Sequence, residues 1–254
     1  MRGFSPSAFR EWQRNRDVFL ALSSSEIPGL IAEPLLVLLA MGIGLGAYVG
    51  LIDGQDYMEF IAPGIIAAYG MFSASFECTY GSFVRMDYQK TYDAIIATPL
   101  SIEDVVAGEI FWGATRALIN TSAVLLIATA FGLVHTPMAL LTLPMGLLSG
   151  LMFASIAFTF TSIAPGISTF NYFFTLFITP MFYFSGVFFP LDHFPPIVQR
   201  LSWIAPLTPV AKVTRSLVQG ELELSLLWAL ALILGITVVF FCLSLVLMRR
   251  RLLK

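Results

Sequence analysis

The chain has 254 residues, of which 57% are hydrophobic and 12% charged, with a formal net charge of −2; a soluble domain is roughly 45–50% apolar and about 25% charged. So little charge excludes a water-clothed globular domain, a disordered chain and a nucleic-acid-binding protein. Cys78 and Cys242 lie inside apolar runs, which excludes a disulfide scaffold and leaves lipid as the solvent for most of the chain.

In chain order, residues 5–26 predict an amphipathic helix capped by Ser5 or Ser7. Phe9, Trp12, Phe19 and Leu20 share one face, with Arg10, Arg14 and Asp17 on another. Such a helix lies on the inner leaflet with Trp12 at headgroup level, or is a solvated lead-in. The first twenty residues hold four Arg with no apolar core between them, so no secretory signal is read there and the N-terminus is expected to stay in the cytoplasm. Six stretches reach the roughly 20 residues a bilayer core demands: about 28–52, 60–83, 105–132, 139–163, 169–189 and 226–248. Gly42, Gly46 and Gly50 repeat every fourth residue in the first span and predict close helix packing. With six spans, Arg2, Arg10, Arg14, Arg16, Arg85, Lys90, Arg249, Arg250, Arg251 and Lys254 all fall on one side, whereas the loop after the first span holds Asp53, Asp56 and Glu59. Both termini are therefore expected inside.

Between the second and third spans, residues 85–100 predict a short cytoplasmic helix with Tyr88, Tyr92, Ile95 and Ile96 on one face, ended by Thr98-Pro99; Ser101, Glu103 and Asp104 cap the third span. That apolar face calls for a partner, or else packs back under the bundle. The fifth span carries ten aromatics in the twenty residues 170–189; Phe173, Phe177, Tyr183 and Phe184 are candidates for a substrate path, against lipid-facing bulk. Five of the fourteen prolines fall in 190–224, giving two helices too short to cross, one burying Ile197, Leu201 and Ile204, the next starting at Thr208-Pro209 and ending near Gly220. This predicts an outer re-entrant hairpin whose basic rim, Arg200, Lys212 and Arg215, meets an anionic headgroup or pairs with Asp192, Glu221 and Glu223.

Glu77, Glu109 and Arg116 are charges inside spans, each costing about 2.5–3.5 kcal/mol at the centre of an isolated helix. They predict a pairing that locks the second and third spans, with Arg116 able to reach either carboxylate, or a proton relay. No glycine-rich phosphate loop, metal-ligand cluster or nucleophile elbow appears in the sequence, so no covalent chemistry, metal or cofactor is expected in this chain.

The stretch Thr91-Tyr92-Asp93-Ala94-Ile95-Ile96-Ala97-Thr98-Pro99-Leu100-Ser101 with Gly108-Glu109, and Phe184-Ser185-Gly186-Val187-Phe188-Phe189-Pro190-Leu191 with Pro206-Leu207-Thr208-Pro209 and Arg215, resemble the permease subunit of type-2 ABC exporters. Within that family they look closest to the NodJ branch of lipo-oligosaccharide exporters, with daunorubicin-type drug permeases nearby. The resemblance spans nearly the whole chain. It implies an all-α polytopic permease forming one domain, residues 1–254, in the bacterial inner membrane. It also implies a homodimer with two copies of a separate ATPase that binds ATP and Mg, the helix bearing Tyr88, Tyr92, Ile95 and Ile96 docking on that ATPase, an amphipathic glycolipid or drug crossing at the dimer interface, and the outer hairpin as gate. A stand-alone secondary transporter and an intramembrane lipid enzyme are the competing classes, weakened by the lack of an internal repeat or a convergent polar cluster.

Overall fold

The computed structural model describes residues 7–52, 54–98 and 100–253; Arg2, Ser5, Asp53, Pro99 and Lys254 lie outside the described residues, as does the side chain of Ser7. Among the described residues the fold is all-α but for an antiparallel ribbon of two residues a strand, Leu51–Ile52 against Gln55–Asp56. Five helical stretches are long and apolar enough to cross a membrane: Ala8–Val49, Tyr57–Tyr88, Ile102–Ala130, Pro137–Ile163 and Ser225–Leu252.

The first element, α1 (7–49), runs from Ser7–Leu39 through a π turn at Ala40–Leu45 into Gly46–Val49 without a break. The 42 residues Ala8–Val49, at about 1.5 Å each, measure about 63 Å, twice the roughly 30 Å hydrocarbon core. The expected division into an interfacial helix and a span is therefore corrected: Pro28 lies inside the rod, not at a boundary. Ala8, Glu11 and Asn15 are buried while Phe9 and Leu20 are exposed, and Trp12 donates from Nε1 to Thr115 Oγ1 at 2.8 Å. This segment packs on another helix through a small and polar stripe.

The second helix, α2 (Tyr57–Tyr88), contains two π turns, Glu77–Gly81 and Val84–Tyr88. Lys90, left-handed at φ 53°, separates it from α3 (Thr91–Ile96), so the expected 85–100 helix is cut to six residues. The start of α4 (Ile102–Ala130) is as the sequence predicts: Ser101 Oγ accepts from the Asp104 amide at 3.2 Å and the Asp104 carboxylate accepts from the Ser101 amide at 3.1 Å. Next come α5 (Pro137–Ile163), opening on a 3-10 turn, and α6 (170–184), with a π turn at Phe174–Ile178. At about 1.5 Å per residue, α6 covers only about 22 Å, short of the expected 169–189 span. It begins beside Phe83 and Tyr80 and leads to Val187, which packs against Gly64 near the start of α2.

Two short helices follow, α7 (Pro196–Ser202) and α8 (Leu207–Gln219), before α9 (Ser225–Leu252). The paired short helices are as the sequence predicts, and Gly220 ends α8 at φ 81°. Two details differ. Thr208 is inside α8 and bonds the Ser202 carbonyl at 2.5 Å instead of capping, and Ile197, Leu201 and Ile204 are exposed rather than buried. In a lipid solvent an apolar face has no drive to turn inward.

The core lies where α2, α4 and α5 meet, with Ile61, Ile65, Met71, Ile110, Phe153 and Phe158 buried. At Gly150 an added Cβ would stand 2.6 Å from Ala117 Cβ and 2.9 Å from Ala114 Cα, so backbone-close packing of small residues joins α4 to α5. The predicted stripe on α1 divides. A Cβ at Gly42 would strike Met58, one at Gly46 would only touch Tyr57, and Gly50, with open space around it, turns the chain at φ 73°. Gly50 is therefore a turn residue, not a packing residue.

Candidate functional site

One end of the bundle collects the N-terminal part of α1, the C-terminal ends of α2 and α9, α3, and the start of α4. Glu109 on α4 is wholly buried there. Arg85 forms a two-pronged contact with it, Nε to Oε1 at 2.9 Å and Nη2 to Oε2 at 2.5 Å, while Ser82 Oγ donates at 2.7 Å and Asn15 Nδ2 at 3.2 Å. Arg85 also pairs with Glu77 at 2.8 Å. Arg116 meets Glu77 at 3.4 Å and Glu26 at 2.5 Å, its guanidinium 4.6 Å from the Phe19 ring. Arg14 reaches Glu11 at 2.7 Å and Glu109 at 3.6 Å. The result is an alternating series, Glu26, Arg116, Glu77, Arg85, Glu109, Arg14, Glu11, that ties α1, α2 and α4 together.

Glu77, Glu109 and Arg116 thus lie in one network, but Arg116 reaches only Glu77 of the two carboxylates. Of the two carboxylates expected within its reach, Arg116 takes Glu77; Glu109, seven residues before it and about 10 Å along α4, is met by Arg85. Sequence reasoning missed Arg85, which counted only as a flanking basic residue, and missed the α1 partners Glu11, Arg14, Asn15 and Glu26. The available signal was a run of polar residues at 11, 14 and 15 beside α4's Gly108, where a Cβ would meet Glu11 Cβ at 2.6 Å.

Beside the network, two adjoining hollows of about 420 and 430 Å³ share Glu26, Glu77, Tyr80 and Arg116 and form a groove between α1, α2 and α4. Glu33, which faces the Tyr69 hydroxyl, and Asn120 extend its polar lining.

Beneath the network sits α3. Tyr92 is fully buried, so it is an anchor in this chain and not part of an outward face; burial, reinforced by the Glu109 charge, pushes its phenol pKa well up. Ile95 and Ile96 are half-buried against the core. Tyr88 is exposed, and the outward side of α3 is Asp93, Ala94 and Ala97. The apolar residues face in because the bundle offers α3 a core that its six residues cannot build alone.

At the opposite end, Arg200 is exposed and Lys212 and Arg215 are half-buried. None of the three forms an ion pair with Asp192, Glu221 or Glu223 among the described residues, so the pairing alternative is not what the structure adopts. Arg215 Nη2 instead donates to the carbonyls of Gly186 at 2.8 Å and Phe60 at 3.3 Å. Burial pushes its pKa down to about 10, which leaves it charged at neutral pH. Among the aromatics, Phe173 is buried against Phe160, with ring centroids 4.9 Å apart, while Phe177, Tyr183 and Phe184 are exposed. Phe177 and Phe184 line an apolar hollow of about 440 Å³ with Leu201 and Ile204.

Residues 12–219 match the model of the family described as ABC-2 type transporter. The chain is 36% identical over 241 residues to Nodulation protein J of Rhizobium meliloti (strain 1021), spanning 95% of this chain and 92% of that protein. It is 35% identical over 243 residues to Nodulation protein J of Rhizobium leguminosarum bv. trifolii, spanning 96% and 93%. With inner membrane transport permease YadH of Escherichia coli (strain K12) it shares 22% identity over 196 residues, spanning 77% and 76%.

Proposed function

The chain belongs to the ABC-2 type transporter family, and from that premise we propose that it is the permease of an ATP-driven exporter that moves an amphipathic, lipid-linked or lipo-oligosaccharide substrate across the bacterial inner membrane. Membership makes it an integral membrane transport subunit, not itself an enzyme, and implies an ABC ATPase partner. In the proposed assembly two copies of this chain face each other and two ATPases carry ATP and Mg. Counting α6 as a crossing gives six spans with both termini cytoplasmic, which agrees with the basic residues gathered at one end. The resemblance of the two sequence stretches to lipo-oligosaccharide export permeases supports the substrate class.

The observation that carries the mechanism is the seating of α3. Tyr92 is held inside the bundle directly under the buried network, so a push on α3 is delivered to α1, α2 and α4 together. ATPase closure would then bias the dimer between inward- and outward-open states, with Tyr88 and the exposed edge of α3 as the contact, Tyr92, Ile95 and Ile96 as its footing, and the α7–α8 hairpin as gate. The test is co-purification with the ATPase and export in cells. Ala97→Trp, on the exposed side, is expected to abolish ATPase capture and cut export at least about tenfold while thermal unfolding of the permease is unchanged. Export that persists without the ATPase overturns the reading in favour of a secondary transporter. Export of an amphipathic drug but no glycolipid moves the substrate class to the drug permeases and leaves the subunit assignment intact.

A further inference from the structure

At the end of the bundle opposite the charge network, a cavity of about 330 Å³ lies between α7, α8 and the turn after α6. Its wall includes Ser185, Gln199, Lys212, Arg215 and Gln219. Two buried polar atoms of that wall have no hydrogen-bond partner among the described residues: Ser185 Oγ, on a residue only 1% exposed, and Arg215 Nε. Native interiors rarely leave such atoms unpaired. Both can donate, and both belong to residues of one cavity wall.

The cation at the wall is held in place. Arg215 Nη2 is engaged by the Gly186 and Phe60 carbonyls, and its guanidinium stacks 4.2 Å from the Phe60 ring. Lys212, one turn away on the same face of α8, rests its ammonium 5.8 Å from the Trp203 ring and donates to Ser225 Oγ at 3.1 Å. Two carboxylates, Asp192 and Glu223, also border the cavity, but both are exposed and Glu223 already accepts from Ser225 Oγ at 2.8 Å. Two cations and two carboxylates give no diffuse positive field. Selectivity must come from short, directed bonds at the buried side, where the donors are.

We propose that this cavity binds a phosphate group, with Ser185 Oγ–H, the Arg215 guanidinium and the Lys212 ammonium as its donors. Donors from the turn and from two positions on α8 suit a tetrahedral acceptor with several oxygens, the guanidinium contributing through Nε and Nη1 because Nη2 is held by the two carbonyls. The group can come from a phospholipid headgroup or from free phosphate, and the site is independent of how the ATPase docks.

The test uses the full-length protein in dodecyl maltoside micelles, which carry no phosphate. Equilibrium dialysis against radiolabelled inorganic phosphate reads the soluble source, and native mass spectrometry with added phosphatidylglycerol reads the lipid source. Saturable binding of either probe, weakened at least about tenfold by Lys212→Gln and by Ser185→Ala, is expected, the loss of one charge-assisted bond being of that size. Binding of phosphate alone assigns a free anion, and binding of phosphatidylglycerol alone assigns a headgroup. Arg215 is left intact because it holds two backbone carbonyls, and unchanged thermal unfolding of both variants confirms their fold. No saturable binding of either probe, or binding that both variants retain in full, overturns the proposal.

Discussion

Glu109 is wholly buried, yet it is met by Arg85 with both carboxylate oxygens and by Ser82 and Asn15 from two further positions. Removing one member of a buried, hydrogen-bonded ion pair costs about 3–5 kcal/mol because the partner charge is stranded. Glu109→Gln keeps the shape and removes the charge, so it should lower thermal stability by that order, whereas Arg116→Met should cost less, about 1–2 kcal/mol. Arg116 sits nearer the surface, and its partner Glu26 is 35% exposed, which weakens the pair by solvent screening. Unfolding of the two variants in one detergent checks the ranking; equal losses would mean that the network does not concentrate on Glu109. Intramembrane charge made Glu77, Glu109 and Arg116 visible in the sequence. Arg85 was not visible as their partner, because a basic residue at a span's inner end already satisfies the topology rule, and only the crossing of α2 on α4 brings it under Glu109.

Element boundaries were most legible where a local interaction decides them. The Ser101–Asp104 box starts α4 and Gly220 ends α8, and each is a contact within a few residues. The continuity of α1 through the exposed Pro28 was not legible, since proline removes a donor and crowds the preceding turn of a helix. Glycine depends on its packing context. Gly150 meets the Ala114 and Ala117 positions of α4 at contact distance, whereas a Cβ added at Gly29 on α1 would have nothing within 4 Å. Gly150→Ala is therefore expected to destabilise by about 1–3 kcal/mol through overpacking against backbone that cannot move. Gly29→Ala should be neutral or stabilising by up to about 1 kcal/mol from helix propensity. Parallel thermal melts read the sign of each change, and a loss at Gly29 matching that at Gly150 would contradict the account of α4–α5 packing.

At the scale of the whole molecule, two of the long helices are mostly uncovered, but for different reasons. The apolar window of α9 has a mean hydropathy of 2.9 and is 11% buried, which lipid alone can serve. The window of α1 is 17% buried, and the same rod presents Glu26 and an exposed Glu33 to the lateral groove. A carboxylate facing hydrocarbon costs about 2.5–3.5 kcal/mol, so the α1 side calls for a protein or aqueous neighbour and the α9 side does not. A second copy of the chain placed α1 to α1 meets that demand and encloses the groove as a path between subunits. With the exposed Cys242 replaced by Ser, Gly29→Cys on the groove wall should yield a cross-linked dimer in native membranes. Val238→Cys, 60% exposed on α9, should remain monomeric under the same oxidant. The reverse pattern would place the dimer contact on α9 and turn the groove toward lipid, where the exposed Glu33 has the Tyr69 hydroxyl but no cation beside it among the described residues; that outcome would remove the subunit interface from the α1 side and the substrate path with it.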